Sequence, residues 1–379
     1  MRSSTRSEVD PFIVMDVMEA ARRREAEGHR VIHMEVGQPG TPAPQGARRA
    51  LAEAMEGGSL GYTVALGLPA LRARIARLYA EWYGIELNPD RVVVTPGASG
   101  GFILAFTALF EAGEWVGLGL PGYPSYRHIL TALSLRAHGL KTAEENRYQP
   151  VPADIPEGLA GLIVASPANP SGTMLDGDAL GALIDRTHEI GAAFVSDEIY
   201  HGLHYDRPAV SALQIDDDVV VVNSFSKYFS MTGWRVGWLV VPEDQIRRYE
   251  RLAQNLFICP THASQIAALA AMECTPELDA NRAVYAENRR LMLEGLPKAG
   301  LPHFAPPDGA FYVYTDVGHL TSDSRAFAAE ILAEAGVAVT PGLYFDPARG
   351  GRMLRLSYAA STADIEEGLA RLAAFISRG

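Results

Sequence analysis

Lysine is nearly missing from this chain. Of its 379 residues 33 are Lys or Arg, and only Lys141, Lys227 and Lys298 are lysines. Cysteine is scarcer still: Cys259 and Cys274 are too few for a disulfide framework or a thiolate metal site. Positive charge is in deficit too, the formal net charge being −12, and no Lys/Arg run with interleaved aromatics offsets it, so nucleic acid is not an expected partner. No apolar run reaches the roughly 18 residues that a spanning helix needs, so no membrane role is expected either. Met1 to Asp10 is polar and holds no apolar segment behind its arginines, which predicts a cytoplasmic protein without a secretory leader. What is present is 48% apolar residues and a length that suits about two domains.

Near the start, Asp10 is placed to cap a helix, Pro11 suits its first turn, Ile13, Val17 and Ala20 share a face, and Gly28 stops it. A second helical pattern runs from Ala47 to Met55. From there β-branched runs alternate with helical stretches, which predicts an α/β fold with a mostly parallel sheet covered by helices. The predicted strands are Arg91 to Thr95, Trp115 to Leu120, Gly161 to Ala165, Ala192 to Ser196 and Val219 to Asn223. Trp234 to Val241 is a further one, antiparallel because little sequence separates it from its predecessor. Glu277 to Glu294 reads as a long charged helix, and a compact α+β tail follows.

In an open α/β sheet, ligands sit beyond the carboxyl ends of the strands. The groups that follow those ends are unusual for their chemistry. Ser224-Phe225-Ser226-Lys227 and Gly233-Trp234-Arg235-Val236-Gly237 set a lysine among hydroxyls and an arginine suited to phosphate. A lysine amine can lose its proton and condense with a carbonyl, which an arginine cannot do. A lysine kept here, in a chain that otherwise uses arginine, points to an aldehyde cofactor carrying a phosphate, namely pyridoxal phosphate. Thr95-Pro96-Gly97-Ala98-Ser99-Gly100-Gly101 leads into the apolar helix Phe102 to Phe110, so its amides can bind a phosphate. Tyr123 can stack on an aromatic ring or simply plug its loop. Asp197 can hold the proton of a pyridine nitrogen or cap a helix, and Asn169 and Tyr200 can bond a phenolic oxygen.

Two decoys need separate treatment. Gly117-Leu118-Gly119-Leu120-Pro121-Gly122 spells a dinucleotide fingerprint, but Pro121 and Pro124 argue against a helix opening there. His201 and His204 have a spacing seen in metal sites, yet the acidic residues nearby are needed elsewhere, and no metal is expected.

The ordered set Asn169-Pro170-Ser171-Gly172-Thr173, Asp197-Glu198-Ile199-Tyr200 and Ser224-Phe225-Ser226-Lys227, with Arg235 eight residues on, resembles the fold-type I pyridoxal-phosphate aminotransferases of the aspartate/aromatic/alanine group. The resemblance runs from Val36-Gly37-Gln38-Pro39 through Gly61-Tyr62-Thr63 and Gly67-Leu68-Pro69-Ala70-Leu71-Arg72. It continues to Pro307-Asp308-Gly309-Ala310-Phe311-Tyr312 and Arg355-Leu356-Ser357-Tyr358-Ala359. It implies a mostly parallel seven-stranded sheet with helices on both faces in a large domain, residues 46–280. A smaller α+β domain is implied for both termini, residues 1–45 with 281–379. It implies a homodimer that moves an amino group from an L-amino acid to a 2-oxo acid by a ping-pong path.

The site residues follow from the same resemblance. Lys227 would hold the cofactor as a Schiff base and shuttle the substrate's proton. Asp197 would pair with the ring nitrogen, Asn169 and Tyr200 with the ring oxygen, and Tyr123 would stack. Ala98, Ser99, Ser224 and Arg235 would hold the phosphate, with Tyr62 reaching across from a second subunit; Ser226 is not counted. Arg355 would grip the substrate α-carboxylate beside Asn169 and the Gly37 backbone. Aspartate-preferring members often carry a lysine in the phosphate turn where Ser99 stands here, so neutral, aliphatic or aromatic donors are expected, although another arginine could meet a dicarboxylate. A β-eliminating carbon–sulfur lyase and a cyclopropane-forming synthase share most of these residues. A ligand-sensing domain is a more distant alternative.

Overall fold

The computed structural model describes residues 2–378. Helix α1 (Ile13–Ala26) begins after Phe12, with no side-chain cap at its start, so the predicted Asp10 cap is not used. Its inward stripe is Val14 and Ala21 with Val17 half-buried between them, the spacing of a 3.6-residue turn. Ala20, predicted on that face, is exposed. Gly28 takes up the chain just beyond the helix with φ of +91°, a region that glycine enters without a Cβ penalty. Strand β1 (Ile32–His33) leads to α2 (Gln45–Gly57) and α3 (Pro69–Tyr83), whose first turn accepts Pro69 because the missing N–H would have had no partner there.

The large sheet is then laid down in order: β2 (Val92–Thr95), α4 (Gly97–Leu109), β3 (Trp115–Leu120), α5 (Pro124–Ala132), β4 (Arg136–Lys141), β5 (Gly161–Ala165), α6 (Gly177–Glu189), β6 (Ala193–Asp197), β7 (Val220–Ser224) and β8 (Gly237–Val240). Its spatial order is β2-β8-β7-β6-β5-β3-β4. Neighbours from β7 to β4 run parallel, while β8 is antiparallel to both β7 and β2. The seven-stranded, mostly parallel α/β sheet expected from the sequence is therefore present, including the antiparallel strand. Strand β4 was not expected. It is an edge strand whose exposed Arg136 and Lys141 blunt an open edge, and that composition hides it from a search for apolar runs.

Alternate residues of the central strands enter two separate cores. Leu162, Val164, Phe194 and Val221 pack with Leu71 and Ile75 of α3 and with Leu183 of α6. Ile163, Val195, Val220 and Val222 pack with Phe102 and Phe106 of α4. Each fully buried side chain of this kind stabilises the fold by roughly 1.5–3 kcal/mol relative to exposure. Helices thus cover both faces, and the only way to reach the sheet is from its ends.

After α7 (Ile246–Leu256) and α8 (His262–Ala271), the long α9 (Thr275–Lys298) carries the charged stretch. Arg290 pairs there with Glu287 and Glu294 one turn away on either side. The remaining elements are β9 (His303–Phe304), β10 (Tyr312–Asp316), α10 (Ser324–Ala335), β11 (Val337–Ala338), β12 (Thr340–Pro341), β13 (Met353–Ser357) and α11 (Thr362–Ile376). An antiparallel sheet of order β12-β13-β10-β9 forms among them, and β11 pairs in parallel with β1. The two ends of the chain are thereby joined.

Candidate active site

The carboxyl ends of the parallel strands all point the same way, so the residues just beyond them collect at one edge of the sheet. There they meet Gly37 from the N-terminal segment and Arg355 from β13 around a cavity of about 220 Å³. Ten of the residues singled out from the sequence line it: Gly37, Ala98, Ser99, Tyr123, Asn169, Asp197, Tyr200, Lys227, Arg235 and Arg355.

At one end of the cavity lies the N-terminus of α4, which starts at Gly97, earlier than the predicted Phe102, and has no side-chain cap. Its first amides therefore have no intrahelical acceptor. Gly97 has φ of +71°, and a Cβ there would fall on the Arg235 guanidinium. Free amides and a guanidinium facing one another at a helix start form an anion cradle. Arg235 is held by the Thr232 carbonyl at 2.9 Å and reaches Ser226 Oγ at 3.5 Å. Ser226, left uncounted on sequence grounds, lines the cavity. Ser224 does not: it is the last residue of β7, and its Oγ accepts the Ser226 amide at 3.0 Å.

Lys227 occupies the middle. Its Nζ donates to the Gly37 carbonyl at 2.5 Å and lies 5.6 Å from the centre of the Tyr200 ring. Burial, reinforced by Arg355 and Arg235 and opposed by Asp197, lowers its pKa from 10.5 to about 7. Asp197 at the end of β6 is equally buried. Burial raises its pKa from 3.8 to about 6, against hydrogen bonds from Tyr126 and the Ile199 amide and the charge of Lys227. Tyr200 shares a 2.8 Å hydrogen bond with Tyr312, and a Cβ on Gly37 would collide with the Tyr312 hydroxyl. Glycine is thus required at 37 for the segment to approach so closely.

Arg355 closes the other end. It is 3% exposed, and its guanidinium lies 4.4 Å over the Tyr312 ring and 4.9 Å from Phe345. Its donors go to Asn169 Oδ1 at 3.0 Å, to Thr340 Oγ1 at 3.3 Å and to the Glu35 carbonyl, all neutral oxygens, and Nε has no partner. A buried guanidinium with a spare N–H and no carboxylate opposite is poised for an anion from outside.

Some placements depart from the sequence reading. Tyr62 does not line the cavity; it is 83% exposed in an open depression with Cys259 and His262. Gly117 and Gly119 lie inside β3, not in a strand-to-helix turn, so the fingerprint lacks its setting for a different reason than the one expected. A helix does open there, with Pro124 in its first turn. His201 is buried with Nε2 at 2.9 Å from the Ser166 carbonyl and Nδ1 at 2.6 Å from the Tyr83 hydroxyl. Burial lowers its pKa to about 3, so it is neutral and ties the β5 and β6 loops together.

Sequence reasoning missed Tyr126, Tyr312 and Tyr344 and the α1 side chains Val14, Met15 and Met18 with Phe12 before them. Tyr126 had a usable signal, lying one turn beyond Tyr123 on the helix that Pro124 begins. Phe12 and Met15, apolar outside the inward stripe of α1, had another.

The model of the family described as aminotransferase class I and II matches residues 29–372. The chain belongs to this family. The valine–pyruvate aminotransferase of Mycobacterium tuberculosis is 47% identical over 99% of this chain and 98% of its own length. The crystal structure of an aminotransferase from the same organism is 45% identical with a TM-score of 0.97, covering all of both chains. The aspartate aminotransferase from Thermus thermophilus with maleate is 30% identical with a TM-score of 0.92, covering 99% of this chain and all of that one.

The chain is accordingly a pyridoxal-phosphate-dependent transaminase. A lyase and a ligand sensor are not favoured. The residues fit the cofactor on the structure's own terms: an anion cradle at one end, a lysine whose amine is pushed by burial towards its unprotonated form, and a buried carboxylate in the same cavity. No helix among the described residues is long and apolar enough to cross a membrane.

Proposed function

We propose that this aminotransferase takes its amino group from a neutral or aromatic L-amino acid and passes it to a 2-oxo acid by a ping-pong path. The supporting observation is the guanidinium of Arg355, buried without a carboxylate partner and with Nε free, in the same cavity as the low-pKa amine of Lys227. The neutral Ser99 in the α4 turn supports the choice of donor.

Each residue then has a task. Pyridoxal phosphate supplies an aldehyde and a protonated ring that draws electron density from the substrate's α-carbon. Ala98, Ser99 and Arg235, with Ser226 in place of the Ser224 expected from the sequence and Tyr62 of the partner subunit, would hold its phosphate. Asp197 would keep the ring nitrogen protonated, Tyr123 would stack on the ring, and Asn169 and Tyr200 would bond its oxygen. Lys227 would hold the cofactor through its aldehyde, and its free Nζ would carry the proton to and from the substrate α-carbon. Arg355 grips the α-carboxylate as a fork, beside Asn169 and the Gly37 backbone, and so fixes which α-substituent faces Lys227.

We read the assembly as a cytoplasmic homodimer with residues 46–280 as its cofactor domain and residues 1–45 with 281–379 as the smaller one. The exposed apolar group Tyr62, Val64, Leu256 and Ile258 supports the dimer. The Thr63 amide and Cys259 Sγ, and His262 and the Gly61 carbonyl, bring its two segments together. Both cysteines are unpaired, which suits a reducing compartment.

The test is the visible spectrum of the protein loaded with cofactor, before and after L-glutamate and then neutral L-amino acids. Loss of the yellow absorption with growth of the pyridoxamine phosphate band on adding neutral donors is expected. Conversion by acidic donors alone would overturn the choice of donor.

A further inference from the structure

We propose that Phe12, Met15 and Met18, at the start of α1, form the subsite for the substrate's side chain, and that they select broadly for apolar side chains. The proposal rests on the reading of Arg355 and Lys227 as the substrate's two anchors.

Those anchors account for three of the α-carbon's four substituents. With the carboxylate on Arg355 and the amine and proton directed at Lys227, the side chain must face what is left of the cavity wall. That remainder includes the α1 group together with Val36, Gln38 and Tyr344. Val14 is buried against Tyr314, Tyr344, Phe345 and Met353 and backs the wall. Phe12 meets the Tyr344 ring edge-on at 5.2 Å. Met15 and Phe12 are 56% and 39% exposed. Both stand outside the inward stripe of an amphipathic helix, on the side where polar residues are usual. Here they border the cavity that holds the anchors, so the substrate's own side chain is the occupant that the geometry provides.

Charge agrees with this assignment. The charged residues that line the cavity are Asp197, Lys227, Arg235 and Arg355, each already engaged with the cofactor or the α-carboxylate. Arg127 donates to the carbonyls of Tyr344 and Phe345 at 3.3 Å each and does not line the cavity. On α1 itself Glu19 is tied to Arg22 and Arg23. A side-chain carboxylate entering this subsite would lose its water without gaining a counter-charge. Unbranched thioether side chains rearrange easily, so one wall can fit aliphatic, thioether and aromatic groups with little discrimination among them.

The test uses the cofactor-loaded protein, its single-turnover conversion by leucine, methionine, phenylalanine, aspartate and glutamate, and calorimetric binding of 4-methylpentanoate against succinate. Wild type should show kcat/KM values for the three apolar donors within about tenfold of one another and at least roughly a hundredfold above aspartate. Met15→Arg should raise the aspartate-to-leucine ratio by about 10- to 100-fold and give measurable succinate binding, with melting temperature and cofactor absorption retained. Because Glu19 lies one turn along and could recapture an arginine at 15, Met18→Arg supplies a second position. Wild type preferring aspartate, as it would if a partner subunit supplied a cation, overturns the proposal. So does an unchanged ratio and absent succinate binding in both variants. Failure of every donor, acidic and apolar alike, would instead strike the anchor reading on which the proposal rests.

Discussion

The Tyr126 hydroxyl donates to one oxygen of the buried Asp197 carboxylate while the Ile199 amide donates to the other at 3.1 Å. Both bonds favour the charged form and oppose the upward push of burial. Tyr126 is thus a positioning residue that keeps Asp197 ionised to lower pH.

Tyr126→Phe should therefore raise the pKa of Asp197. A hydrogen bond to a charged group is worth about 1.5–3 kcal/mol, or roughly one to two pH units. The acid limb of the kcat profile should move up by about that much, while the alkaline limb stays in place. A variant that loses activity equally at every pH would show that Tyr126 only supports the fold.

Arg355→Lys keeps the charge but loses the fork and its fit to Asn169 and Thr340. Each hydrogen bond to a charged group that the fork loses is worth about 1.5–3 kcal/mol. The expected result is a fall in kcat/KM of roughly 30-fold or more with cofactor affinity nearly unchanged. Steady-state kinetics beside a cofactor titration separates the two effects.

Lys227 predicts a pH dependence of its own. Its amine is nucleophilic only when unprotonated, and its pKa lies at about 7. Covalent capture of pyridoxal phosphate by the cofactor-free protein should accelerate as pH rises through 7 and level off above, well short of the 10.5 of an ordinary lysine. Stopped-flow absorbance gives the profile, and Lys227→Ala should show no capture at any pH.

His33 offers a stability prediction. Its Nδ1 meets the buried Glu35 carboxylate at 2.8 Å and its Nε2 meets Glu25 at 3.1 Å. The Glu35 hydrogen bond is the main cause of a pKa raised from 6.5 to about 9. A folded-state pKa raised in this way gives stability that is complete below pH 6.5 and lost as pH climbs through 9. His33 is half-buried, so the amount is on the order of 1–2 kcal/mol after solvent screening. Denaturation midpoints should fall between pH 7 and 10 in wild type and change less in His33→Gln.

How much of this was legible in the sequence depended on whether a residue's role is local. Lys227, Asp197 and the Gly97 turn could be read because strand ends and helix starts leave short-range signals, and six of the seven large-sheet strands announced themselves by β-branched runs. Strand β4 did not, because an edge strand is stabilised on one side and advertises charge instead. Tyr312 and the α1 side chains were invisible for another reason. Their roles depend on tertiary approach: Tyr312 on the close passage of Gly37, and Met15 on what lies across the cavity from it. Ser224 and Ser226 sit two apart on one turn, and only the fold shows which of them faces inward.

The joining of the chain's two ends has a consequence for biosynthesis. By the close of β8 the ribosome has delivered every group of this chain proposed to hold the cofactor, from Ala98 to Arg235. Arg355 arrives only on β13, the last element but one, and its guanidinium is seated by the carbonyl of Glu35, made at the very beginning. A nascent chain thus acquires the means to keep its cofactor long before it can seize an amino acid.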